Sequence, residues 1–284
     1  MDAPFPPFEP HGKQEGAGRI GKIELRYILP NLITVLAICA GLSGIRLAFE
    51  GRFETAVLMV LLAAFLDGID GRLARMMKGQ SKFGAQMDSI ADAVNFGAAP
   101  ALVLYAYVLD QVRSLGWIAA LVYAIACCLR LARFNVMNDN PEQSANAGDY
   151  FVGVPAPAGA CLVMLPVYLG FLGFEPTKTA ALLGAMYTVL IGLLMISQLP
   201  VYSGKRATSR IPRDIVLPLI LGIMIYVALL ASYTWETLAF STLAYLTSLP
   251  FGVNGRRKAR REEALAAADA ALKPDAPEGQ AGNG

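Results

Sequence analysis

The sequence predicts an all-α, polytopic membrane protein, a helix bundle with about eight transmembrane segments. Three observations carry this. Hydrophobic residues make up 55% of the 284-residue chain and charged residues only 16%, which is the composition of a lipid-embedded chain. Apolar runs of spanning or near-spanning length follow one another between residues 30 and 250. Basic residues collect in every second connection, as the positive-inside rule requires.

Residues 1–18 are rich in Pro, Gly and polar groups and lack apolar periodicity, so a disordered tail is expected. No secretory signal is visible, because the first long apolar run begins near Leu29 without a small-residue cleavage pattern. Residues 19–29 alternate basic and apolar groups. Two readings stand there: an interfacial helix lying on the membrane, and a short lead-in to the first span. The transmembrane domain is placed at 30–250, with spans at about 30–49, 54–76, 84–108, 115–134, 151–172, 177–198, 213–231 and 235–250.

The first span opens Pro30-Asn31-Leu32-Ile33-Thr34. Proline suits the first helical position, and Asn31 and Thr34 then read as polar groups at a helix start. The second and third spans carry carboxylates at their adjoining ends. The fourth ends in Arg130, Arg133 and Asn135; the arginines either snorkel to the interface or face a cavity. The fifth begins Gly153-Val154-Pro155-Ala156-Pro157, and its prolines predict irregular backbone. The eighth run is short, with tilted, interfacial and partly inserted placements all open. Arg210 and Arg213 read as topology and headgroup charges at the seventh span. Residues 251–284 form a charged tail that turns from basic to Ala/Glu-rich.

With the N-terminus inside, the inner connections hold Lys78, Lys82, Lys205, Arg206, Arg210 and the basic run Arg256–Arg261. The opposite loops carry chiefly Arg52, Arg113 and Lys178. Both termini are therefore expected on the cytoplasmic side of a cell membrane, the inner membrane of a bacterium being the expected setting, with Trp117 and Trp235 as outer belt aromatics. The single His, at position 11, removes histidine as base or ligand. The four cysteines, at 39, 127, 128 and 161, show no metal-type spacing and read as small buried residues without disulfides. No nucleic-acid partner is expected.

The chemistry concentrates between Asp67 and Pro100. Asp67 and Asp70 are three residues apart, and Asp88 and Asp92 are four apart, so each pair shares one helix face. Two such faces turned together crowd four carboxylates into one volume. Hard divalent cations with oxygen ligands, Mg²⁺ or Mn²⁺, resolve that crowding. Gly71 and Gly84 flank the pairs and leave room for a bulky ligand. Arg72, Arg75, Lys78 and Lys82 offer positive charge to an anion. Ionisable residues within a membrane segment point to function.

The pattern Asp67-x2-Asp70-Gly71-x2-Ala74-Arg75-x8-Gly84-x3-Asp88-x3-Asp92 resembles the complete signature of the CDP-alcohol phosphotransferase family. Beyond it, Gln80–Gly84, Asp88–Asp92 and Phe96–Pro100 are similar to the phosphatidylserine synthase branch. So are Arg130–Asn135 and Phe151–Ala158. The resemblance implies a membrane enzyme with a six-helix catalytic core that replaces the CMP of a CDP-linked lipid with an alcohol, using two divalent ions. It implies Asp67, Asp70 and Asp88 as metal ligands. Asp92 matches the proposed base and joins the ligands of the second ion. Asn31, Thr34, Gly71, Ala74, Arg75, Ser81 and Gly84 match positions near the CDP-lipid. A homodimer is a family expectation.

For this branch the resemblance implies transfer of a phosphatidyl group from CDP-diacylglycerol to L-serine. Serine carries a carboxylate that choline, inositol and glycerol lack, and Arg is the best fork for one; Arg130, Arg133 and Asn135 are the candidates. Sister enzymes using glycerol 3-phosphate, inositol phosphate or choline are the near alternatives. A divalent-cation transporter is the distant one, and it predicts acids spread through the membrane depth.

Overall fold

The computed structural model describes residues 25–76, 82–139, 151–197, 200–201 and 213–249. Over these residues the chain is a nearly all-helical bundle. The expected tail at 1–18, residues 19–24, the connections at 77–81, 140–150 and 202–212, and the segment 250–284 lie outside the described residues.

Helix α1 (Leu25–Phe49) and α2 (Phe53–Met76) pack along their length. A rod follows, made of α3 (Lys82–Asp92), a π-helical turn (Ala93–Ala98) and α4 (Ala99–Tyr107). After a short 3₁₀ turn, α5 (Arg113–Asp139) crosses back. Strand β1 (Phe151–Val152) precedes α6 (Ala156–Val163) and α7 (Leu165–Phe171). Helix α8 (Lys178–Ile196) leads to β2 (Pro200–Val201), which pairs antiparallel with β1. The chain then forms α9 (Arg213–Ser232) and α10, over 234–249.

Four stretches are long and apolar enough to cross a membrane by length and composition: Leu29–Phe49, Phe83–Tyr107, Leu109–Met137 and Lys178–Ile196. Helix α2 is as long but carries Glu54, Asp67, Asp70, Arg72 and Arg75. The arrangement is that of a polytopic membrane bundle. Its interior is held by Phe96, Leu104, Tyr123, Tyr168, Ile191 and Met195, all essentially buried. The outer faces are equally apolar: Leu183, Met186, Leu190 and Leu193 of α8 are exposed. From Val216 to Leu229, every residue of α9 is exposed, and α9 meets α10 through Tyr226 Oη and Ser241 Oγ, 3.2 Å apart.

Several sequence expectations are corrected in detail. The first helix begins at Leu25, so Pro30 lies inside it rather than at its start. The fifth span begins at Ala156 and is broken at Met164, with Pro157 and Pro166 each in a first turn. The proline-rich entry is extended backbone, and Gly153 there has φ +81° and backs onto the Met195 and Ser197 carbonyls. A side chain at that position meets both conformational and steric obstruction. Of the four free cysteines only Cys127 is fully buried, while Cys39 and Cys128 are exposed. An apolar run does not reveal its buried face when the surrounding solvent is itself apolar.

The π turn has a sequence cause. In an unbroken α-helix the Phe96 carbonyl accepts from residue 100, but Pro100 has no N–H to give. The Tyr123 hydroxyl of α5 donates to that carbonyl instead, at 2.8 Å and fully buried. Tyr123→Phe is therefore expected to destabilise the bundle by about 1–3 kcal/mol, the cost of an unmet buried acceptor. Thermal unfolding in detergent would check it, and an unchanged midpoint would refute it. Asn95 in the same turn is completely buried, and it lies so close to Gly41 of α1 that any side chain there would collide with it.

One end of the bundle is aromatic. Phe53 stacks on Tyr107 at 4.8 Å between ring centroids, Tyr107 on Phe171 at 5.2 Å, and Phe171 on Trp235 at 4.6 Å. Trp117 is exposed and lies 5.2 Å from Tyr105. Phe53 starts α2 and the carboxylates end it, so the aromatic and acidic ends stand about 20 Å apart along that helix.

Candidate active site

The acidic end is built by α1, α2 and α3. Helical spacing turns Asp67 and Asp70 to one side of α2, and the packing of α3 brings Asp88 to meet them. Asp67, Asp70 and Asp88 each present an oxygen such that all three lie within 4.8 Å of one another. Asp70 is buried at 2% exposure. The Thr34 hydroxyl of α1 donates to its Oδ2 at 2.6 Å and also lies 3.1 Å from the Pro30 carbonyl. That bond fixes one oxygen of Asp70 and leaves the other for a ligand. Asp70 Oδ1 and Asp67 Oδ1 are both buried without a hydrogen-bond partner.

Buried carboxylate oxygens with no donor, converging on one point, fit a hard cation and little else. The donor set is all oxygen, as Mg²⁺ and Mn²⁺ prefer. Asp92 stands at the second level of the site, within side-chain hydrogen-bond reach of Asp67. Two carboxylates approach that closely only with a shared proton or a neighbouring cation.

The approach is open. A Cβ added at Gly68 or Gly71 would meet nothing within 4 Å, so α2 presents bare backbone beside the carboxylates. Arg72 is exposed on the same turn. Asn31 is half-buried one turn before Thr34, and Gly84 opens α3 on the facing side. Ala74 and Arg75 fall in the last turns of α2, and their side chains, like Ser81, lie outside the described set.

The three residues expected at the end of α5 separate. Arg130 is half-buried with its Nε sealed off and unpartnered, and Asp92 is among its electrostatic neighbours. Arg133 Nη1 donates to the Ile196 carbonyl at 2.9 Å, a cation on the last turn of α8, where the helix dipole favours it. Asn135 Nδ2 donates to Ser89 Oγ at 2.9 Å, tying α5 to the helix that carries Asp88 and Asp92. Two further polar residues emerge that sequence reasoning did not single out. Asn95 has both amide atoms buried without partners, and Tyr245 of α10 has a buried hydroxyl without one. Neither belongs to a local motif. The only early signal for Asn95 is a lone amide in an apolar run.

Comparison with known proteins places the chain in a family. The family model described as CDP-alcohol phosphatidyltransferase matches residues 27–204, and that of CDP-alcohol phosphatidyltransferase 2 matches 214–250. The chain is 39% identical to the CDP-diacylglycerol–serine O-phosphatidyltransferase of Mycobacterium leprae over 232 residues, 81% of this chain and 76% of that protein. It is 37% identical to the Helicobacter pylori protein of the same name over 175 residues, 61% of this chain and 71% of that one. The crystal structure of Mycobacterium tuberculosis phosphatidylinositol phosphate synthase aligns with 64% of this chain and 93% of its own, at 21% identity and a TM-score of 0.44. The first match takes in α1, α2 and α3, the helices that assemble the carboxylates, and runs on through α8. On that evidence the chain belongs to the CDP-alcohol phosphatidyltransferase family.

Proposed function

We propose that the chain is a phosphatidylserine synthase, moving the phosphatidyl group of CDP-diacylglycerol onto the hydroxyl of L-serine with release of CMP. The observation that carries the chemistry is the convergence of Asp67, Asp70 and Asp88 with two orphaned buried oxygens. The choice of serine is supported by the relatives, which carry that activity in their names at 34–39% identity.

In the reaction the serine oxygen bonds to the phosphorus that carries diacylglycerol. The bond from that phosphorus to the CMP oxygen breaks, and CMP leaves with the electron pair. Two divalent ions, Mg²⁺ or Mn²⁺, held by Asp67, Asp70, Asp88 and Asp92, would supply charge neutralisation for the diphosphate. Thr34 keeps Asp70 turned toward that point through its 2.6 Å bond. Asp92 takes the proton of the serine hydroxyl, since an alcohol is a poor nucleophile near neutral pH and the bundle contains no histidine. The bare backbone at Gly68 and Gly71 admits the cytidine diphosphate, and by the family resemblance Asn31, Arg75 and Ser81 match positions that contact it. The charge pattern supports an active site on the cytoplasmic side, where serine and nucleotide are found.

The reading is tested by CMP release from purified protein given CDP-diacylglycerol and Mn²⁺ or Mg²⁺, with L-serine, glycerol 3-phosphate, inositol phosphate and choline offered separately. Metal-dependent release with L-serine is expected. Release only with another alcohol would keep the chemistry and overturn the acceptor.

A further inference from the structure

Two sealed donors are left unused by this mechanism: Arg130 Nε on α5 and the Tyr245 hydroxyl on α10. Each is an electrostatic neighbour of the other, and Arg130 is also a neighbour of Asp92. Leaving a buried N–H and a buried O–H without acceptors is costly, and two such donors that sense each other electrostatically fit a shared anion.

The course of α10 explains the juxtaposition. Its start is in the aromatic end, where Trp235 packs on Phe171. Ten residues on, about 15 Å along the axis, Tyr245 has Arg130 of α5 as its electrostatic neighbour. Leu238 and Thr242, both buried, lie on one stripe with Tyr245 and Leu249 at i, i+4, i+7 and i+11. That stripe is the face turned to the bundle, so the hydroxyl is delivered inward by the packing of the whole helix.

We propose that Tyr245 and Arg130 together hold the carboxylate of the acceptor amino acid, making the last helix a selecting wall of the active site. The inference rests on the reading of serine as acceptor and goes beyond it by adding Tyr245 of the last helix to Arg130 as the group that recognises serine. Serine is short: its carboxylate is only two carbons from the reacting hydroxyl oxygen. Whatever binds the carboxylate must therefore stand close to the group that takes the hydroxyl proton, and Arg130 and Asp92 are electrostatic neighbours. An acceptor with the same hydroxyl and amine but no carboxylate, such as ethanolamine, leaves both donors unpaired. A site built around hydrogen bonds rejects such an analogue strongly.

The test uses the full-length protein in detergent micelles with CDP-diacylglycerol, comparing wild type with Tyr245→Phe, which removes only the hydroxyl. The variant is expected to raise KM for L-serine by about tenfold or more, with kcat and the KM for CDP-diacylglycerol within about twofold of wild type. The preference for L-serine over ethanolamine is expected to fall with it. An unchanged serine KM would overturn the proposal. So would a loss of kcat accompanied by a raised KM for CDP-diacylglycerol, the signature of a general packing defect. If wild type itself released CMP with another alcohol and not with L-serine, the acceptor reading would fall and this inference with it; that failure is seen in the wild type, not in the variant.

Discussion

Asp92→Asn is expected to abolish CMP release while leaving CDP-diacylglycerol binding near the wild-type level. The substitution is isosteric. An amide can still donate to the Asp67 carboxylate that Asp92 now approaches, so the local packing is preserved. What it loses is the ability to take a proton, and removal of a positioned general base lowers turnover by about 10²–10⁴-fold. Asp92 also stands among the proposed ion ligands, so the loss should sit at or beyond the upper end of that range. Equilibrium binding of CDP-diacylglycerol measured beside single-turnover CMP release separates the two effects. A variant that turns over normally, or one that fails to bind the lipid, would count against Asp92 as the base.

Asp70→Asn is expected to remove the cation site itself. Asp70 is the most buried of the four carboxylates, and Thr34 already occupies its Oδ2. An amide keeps a partner for Thr34 but offers a neutral oxygen or an N–H where an anionic ligand is needed. Changes one shell further out commonly cost 10–100-fold in metal affinity, so Mn²⁺ binding should weaken by at least about a hundredfold. Titration of Mn²⁺ followed by electron paramagnetic resonance reads this directly, independently of turnover. In wild type, chelation should stop CMP release and added Mn²⁺ restore it; in the variant the same Mn²⁺ should restore nothing. Wild-type Mn²⁺ affinity in Asp70→Asn would remove Asp70 from the ligand set.

The two substitutions act on neighbouring groups and should not add. A site without its cations has no reaction for Asp92 to assist, so the double variant should resemble Asp70→Asn alone.

Much of the architecture was legible in the chain. Each apolar run is a local property, and a bilayer demands helices of nearly fixed length, so the eight expected runs fall on helices, although the first helix starts earlier, at Leu25, and the fifth run is split at Met164. The meeting of Asp67, Asp70 and Asp88 was legible for a similar reason. Spacings of three and four put each pair on a face, and an acidic face inside an apolar bundle has few places to go except toward another such face. The breaks were less legible. Proline is favoured at a helix start, yet α1 continues through Pro30. Pro100 closes a family-like motif, but its missing N–H is also what frees the Phe96 carbonyl for Tyr123.

By itself, then, the sequence determined the bundle, the acidic centre and the family pattern, because composition, periodicity and short-range spacing are written along the chain. Only the tertiary structure decided which faces turn inward, since lipid and protein interior are equally apolar and hydropathy does not distinguish them. It alone set Thr34 against Asp70 across 36 residues, engaged Arg133 with the end of α8, and buried the Tyr245 hydroxyl of α10 without a partner. These pairings depend on how helices distant in sequence rotate and cross, and no local rule fixes that.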